Sequence, residues 1–147
     1  SWPKRIIPEN CSDLAHAVDL FPTIVSAAGG EVPNGLPGID LLDASARKQR
    51  DTVFGVNHST HNMTLGDPDD TLQYIWCIED KWKLIKRYRG KDISPHYSAL
   101  HRWDTAAYHL YDLEKDPNEL NDLADAMPKR VKRMSAKIDQ WRKDTRG

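Results

Sequence analysis

Two apolar stretches, Leu72 to Ile78 and Trp82 to Tyr88, are separated only by Glu79-Asp80-Lys81. Both carry aromatic and β-branched residues, the side chains that suit a pleated, half-buried surface. A three-residue connection cannot return the chain to the start of a parallel neighbour, which takes a dozen residues or more. The pair is therefore expected as an antiparallel hairpin, although no Asn-Gly marks its turn.

Thr52 to Asn57 and Ala107 to Leu113 read as two further short strands, giving about four. Near the C-terminus, Val131, Met134, Ile138 and Trp141 recur at i, i+3, i+7 and i+10. That single apolar stripe predicts a helix from about Pro128, laid across a sheet. The expected class is α+β: a small antiparallel sheet packed by a long C-terminal helix.

Before the sheet, Leu20, Ile24 and Ala27-Ala28 fall at helical spacing, with Phe21 and Val25 widening the apolar face. Asp19 reads as the N-cap, Pro22 is tolerated in the first turn, and Gly29-Gly30 reads as the stop. Pro33 to Gly38 reads as a loop, and Gly66 to Asp70 as a turn. Trp2 to Pro8 reads as the tail of a strand. Arg89 to Thr105 shows no period and reads as a long excursion. Asp116-Pro117-Asn118-Glu119 has the pattern of a capping box, predicting a short helical turn to about Ala124.

Composition narrows the function classes. The 147 residues are 39% hydrophobic and 29% charged, with a formal net charge of −1. That describes a folded chain with no global field to recruit nucleic acid. No apolar run approaches the roughly 20 residues that span a bilayer. The opening Ser1-Trp2-Pro3, with neither Met nor signal peptide, reads as an excised piece of a longer protein. Of the two cysteines, Cys11 and Cys77, pairing stays open, and two separate, partly buried thiols are the expectation.

Few residues promise chemistry. His58 and His61 are three apart where a strand enters a loop; with no Cys or carboxylate cluster nearby they make a poor metal site. They fit better as polar groups at a strand end, able to hydrogen-bond an anionic substrate, with solvated loop histidines an equally open reading. Asp67, Asp69 and Asp70 lack the spacing of a calcium loop and read as a solvated turn. The basic run on the last helix, Lys129 to Lys143, reads as a solvated face, because its one aromatic, Trp141, lies on the apolar stripe. No nucleophile elbow or phosphate-binding loop is present.

Several segments, in order, resemble the C-terminal end of the formylglycine-dependent (type I) sulfatases. Trp2-Pro3 and Ala17-Val18-Asp19-Leu20-Phe21-Pro22-Thr23 are similar to that family's W-P and V-D-L-x-P-T segments. Gly29-Gly30, Pro33, and Leu36-Pro37-Gly38-Ile39-Asp40-Leu41-Leu42 resemble its A-G, P and G-x-x-L-L run. Val53-Phe54-Gly55 and Trp82-Lys83-Leu84-Ile85 resemble two of its strands. Leu110-Tyr111-Asp112-Leu113 through Asp116-Pro117-Asn118-Glu119, Asn121 and Leu123-Ala124 resemble its L-Y-D-L-x-x-D-P-x-E-x-x-N-L-A signature. The His58/His61 region further resembles the N-sulfoglucosamine sulfohydrolase-like group.

The resemblance implies an alkaline-phosphatase-like sulfatase C-terminal subdomain. Residues 1–50 would be the tail of a larger domain and a linker, and residues 51–147 the sheet and last helix. It implies a missing N-terminal domain that holds the formylglycine nucleophile and calcium, with no catalytic residue, metal ligand or cofactor in this chain. Neither Cys11, followed by Ser-Asp-Leu-Ala, nor Cys77, followed by Ile-Glu-Asp-Lys, matches the C-x-P-x-R maturation motif. Where relatives often carry arginines before Lys83, this chain has Tyr74-Ile75-Trp76-Cys77-Ile78. The role implied is to shape the pocket for a sulfated carbohydrate or other sulfate ester, with Asn57, His58, His61 and His101 as substrate contacts. A periplasmic or secreted location is implied, as is a possible homodimer through the exposed docking face. A related phosphodiesterase or phosphonate hydrolase, or a free-standing binding module, are the alternative readings.

Overall fold

The hairpin forms as its short connection requires. In the computed structural model, which describes residues 10–58, 67, 69–88 and 106–145, strands β2 (Leu72–Glu79) and β3 (Trp82–Arg87) pair antiparallel from Glu79↔Trp82 to Tyr74↔Arg87. Asp80 makes the turn at φ 52°, a left-handed conformation that aspartate tolerates better than most residues. β4 (Tyr108–Asp112) adds antiparallel to β3, and β1 (Thr52–His58) lies beside β2, so the order is β1-β2-β3-β4. The last helix runs Pro128–Asp144, with Pro128 at its first turn.

Two compact units make up the chain, Ser1–Val53 and Phe54–Gly147. In the second, Cys77, Leu84 and Leu110 stand in register across three strands, and each is fully buried. Val131, Met134 and Ile138 of the last helix close over them, as the stripe predicts. Trp141 completes that stripe by stacking on Phe54, with ring centroids 5.1 Å apart and planes within 5°. Burial, followed by the nearby Glu79, pushes the Cys77 thiol up to about 12. Both cysteines are free; Cys11 is exposed rather than partly buried.

The basic face of the last helix is not simply solvated. Arg133 and Lys137 both engage Glu79, with Lys137 Nζ 2.7 Å from Oε1. Burial would raise the Glu79 pKa, but these two cations outweigh it and hold the carboxyl below its ordinary value. Arg130 stacks on Trp82 at 4.1 Å, and Arg142 pairs with Asp69 and lies over Tyr88. A long cationic side chain can fold over the core and leave only its head in water. The Asp67–Asp70 turn is correspondingly less solvated than expected, with Asp70 buried.

The capping box at Asp116 does not form. Glu119 sits at φ 56°, which no helix allows, and its carboxylate reaches Lys83 Nζ at 2.7 and 2.8 Å. Asp116 instead accepts from the Asn121 backbone N–H at 2.7 Å. Two other aspartates of this segment work in the same way. Asp112 accepts from Glu114 N–H, and Asp122 from Leu110 and Ala124 N–H. The segment is a chain of turns tied by carboxylates to backbone amides, a local alternative that competes with helix.

In the first unit, a 3-10 turn (Ala17–Asp19) leads into α1 (Leu20–Ala27), and α2 (Ala44–Gln49) follows. Gly29, at φ 77°, ends α1 as expected. Asp19 stands at the N-cap position but does not cap α1. Its carboxylate accepts from His16 N–H at 2.7 Å, from Ile39 N–H at 3.0 Å and from both terminal nitrogens of Arg50. Gly38 allows the loop to close, because a Cβ there would lie 2.3 Å from the Val18 carbonyl oxygen. Gly38→Ala should therefore destabilise this unit by about 1–3 kcal/mol, read as faster proteolysis around α2. The last helix of the chain is α3 below.

Candidate functional site

The site proposed by sequence lies at the end of β1. Consecutive residues of a strand point to opposite faces, so Asn57 and His58 cannot share one. Asn57 is exposed and His58 half-buried. The His58 ring is held by a partner that sequence reading missed: Thr71 Oγ1 lies 3.3 Å from Nδ1. Thr71 is itself buried, at the turn leading into β2. If the threonine hydroxyl donates to Nδ1, the ring proton sits on Nε2, and the imidazole offers one N–H donor to an anion or sugar oxygen. The only signal for Thr71 was a β-branched hydroxyl just ahead of an apolar strand. His61 and His101 lie outside the described residues.

Neither cysteine fits a nucleophile. Cys77 is buried in the core, with its thiol pushed up to about 12, and Cys11 is exposed in a sequence unlike the maturation motif. Among the described residues no three His, Cys, Asp or Glu side chains gather as a metal site. A groove of about 750 Å³ opens between the start of β4 and α3, beside Tyr108, Val131, Ser135 and Asp139. It includes neither Asn57 nor His58. The signature residues Asp112, Asp116 and Glu119, and Asp122 in the same segment, all serve turns or ion pairs, so they build the fold rather than a pocket.

The four-stranded antiparallel sheet with a helix across β2 and β3 is a fold shared with solved sulfatase structures. The structure of a 2-O GAG sulfatase matches it with a TM-score of 0.60 and 21% identity, over 87% of this chain and 24% of that one. The chain belongs to the N-sulphoglucosamine sulphohydrolase, C-terminal family, whose model matches residues 1–144. It is also 27% identical to arylsulfatase K of Xenopus laevis over 91% of its length, and 29% identical to arylsulfatase A of Bos taurus over 86%. The chain spans only 23% and 25% of those two relatives. These matches do not favour the phosphodiesterase or free-standing-module alternatives. Among the described residues, no helix is long and apolar enough to cross a membrane.

Proposed function

We propose that this chain is the pocket-shaping part of a sulfuric-ester hydrolase whose bond-breaking groups lie elsewhere in the same enzyme. The observation that carries this reading is the family match over residues 1–144, joined to sulfatase relatives of which the chain spans about a quarter. Cleaving a sulfate ester takes a strong nucleophile and a cation to hold charge on the sulfuryl oxygens. On this reading a formylglycine and calcium supply both in the rest of the enzyme. A separate subdomain then decides which alcohol or sugar fits.

The end of β1 supplies the contacts. The His58 Nε2–H donates to a sulfate or hydroxyl oxygen, held in place through Thr71, whereas Asn57, on the other face of β1, does not join that contact. His61 and His101 add further polar contacts. The substrate class is a sulfated carbohydrate or another sulfate ester, in keeping with a 2-O GAG sulfatase and two arylsulfatases among its relatives. The enzyme works in the periplasm or outside the cell.

In the full-length enzyme, His58→Ala should lower kcat/KM on the natural substrate about ten- to a hundredfold, the value of a hydrogen bond to a charged group. His61→Ala should act in the same direction. Steady-state kinetics, with melting temperatures as the folding control, decide the matter. Unchanged kinetics for both variants would remove the end of β1 from the pocket.

A further inference from the structure

α3 keeps part of its positive charge on its outer face. Of the seven cations on the helix, Arg130 lies over Trp82, Arg133 and Lys137 engage Glu79, and Arg142 pairs with Asp69. Lys129, Lys132 and Lys143 stand exposed. At 3.6 residues per turn these three fall, with Arg133, Ala136 and Gln140, within an arc of about 100°. The two carboxylates of the helix, Asp139 and Asp144, lie outside that arc. At 1.5 Å per residue, the strip from Lys129 to Lys143 is about 21 Å long. Lys129 also stands in the first turn, where the helix dipole disfavours a cation and no acidic residue offsets it. A residue set against a local rule is expected where function rather than folding selects it.

Length and charge point to the occupant. A small anion would meet one or two of these ammonium groups, whereas a polyanion can follow all three and shed its condensed counterions. The groove of about 750 Å³ lies alongside, sharing Lys132 and Ala136 with the strip and lined further by Tyr108, Ser135, Asp125 and Asp139. Asp139 Oδ1 accepts from Lys86 and from the Tyr88 hydroxyl, and its other oxygen can accept from a sugar hydroxyl. Carboxylates beside the ammonium row repel an unbroken run of phosphates, but they suit a chain that alternates hydroxyls with sulfates. No aromatic side chain lies in the arc to stack on a nucleic-acid base, since Trp141 is stacked on Phe54.

We propose that the strip from Lys129 to Lys143, with the groove beside Lys132, binds a sulfated polysaccharide, which rests on the reading of this chain as part of a hydrolase for sulfated carbohydrate. The test is the binding of heparin by the full-length enzyme, titrated by fluorescence over a range of salt. Replacing Lys129, Lys132 and Lys143 together by glutamine should weaken binding about tenfold near 0.1 M salt and lower the slope of log affinity against log salt by about two. Ala136→Phe, which narrows the groove and changes no charge, should weaken binding several-fold and keep the slope. Lys48→Gln with Lys115→Gln, two exposed lysines elsewhere, should change little. A parent that does not hold heparin, a triple variant that binds like the parent, or a control pair that weakens binding as much each overturn the proposal. Desulfated heparin bound as tightly as heparin overturns it too, and single-stranded DNA competing equally would assign the strip to nucleic acid instead. Binding needs no turnover, so the two readings fail separately. An enzyme that holds heparin on this strip but cleaves no sulfate ester sinks the hydrolase reading alone. One that cleaves sulfate esters while the triple variant binds normally sinks only the strip.

Discussion

Asp19→Ala is expected to cost about 3–5 kcal/mol and to open the first unit while the sheet stays folded. The carboxylate is fully buried and gathers the His16 and Ile39 amides and the Arg50 guanidinium around one point. Alanine would leave the Arg50 charge, 11% exposed, without its partner. The damage should appear as rapid tryptic cleavage at Arg47, Lys48 and Arg50, with the Trp76, Trp82 and Trp141 fluorescence of the second unit unchanged. Asp19→Asn, which keeps the shape and part of the hydrogen bonding, should fall between. If tryptic cleavage of Asp19→Ala matched the parent, the network would carry little of the unit's stability.

The same group sets a pH dependence. Burial would raise the Asp19 pKa, but Arg50 and the Ile39 and His16 amides outweigh it, so the folded value lies below the ordinary 3.8. A depressed folded pKa contributes stability that is complete above the unfolded value and lost as pH falls through the folded one. Protease resistance of the first unit should thus hold at neutral pH and fall below about pH 4, and Asp19→Asn should flatten that fall.

Leu84→Ala is the second large effect, about 2–5 kcal/mol, and it belongs to the other unit. Leu84 is 0% exposed in β3, one of the two inner strands, between Cys77 and Leu110 and in one core with Met134 and Ile138. Truncation loses the transfer energy of the removed methyls and leaves a cavity that flanking strands cannot easily close. Leu84→Met should cost under about 1.5 kcal/mol, because it keeps the volume. Urea unfolding followed by tryptophan fluorescence measures both, and equal losses would mean that shape rather than volume governs this position.

What could be read in advance was local. The hairpin followed from a short connection between two apolar runs, and α3 from the period of Val131, Met134, Ile138 and Trp141. Period alone reveals that a helix has two faces, not what lies over each, so the α1 stripe was legible but its outward direction was not. Glu119 misled because a capping box and a long-range ion pair use the same residue types; Lys83, its actual partner, lies 36 residues earlier. The six-residue α2 is too short to show a period, and only the Asp43 cap announces it. At the candidate site, His58 was visible as a polar residue at a strand end. Thr71 was not, since the two lie 13 positions apart and their contact depends on how β1 lies beside β2.

The order β1-β2-β3-β4 has a consequence for how the second unit is made. Every strand pairs with its neighbour along the chain, so the sheet can be laid down in sequence from the β2–β3 turn, with little loop closure at the first step. Residues near that turn should then speed or slow folding, while those on α3, which follows all four strands in the chain, should mainly alter unfolding. Comparing Ile78→Val with Ile138→Val by stopped-flow refolding would separate the two: the first should slow folding, and the second should hasten unfolding. The reverse pattern would mean that the helix nucleates and the sheet assembles upon it.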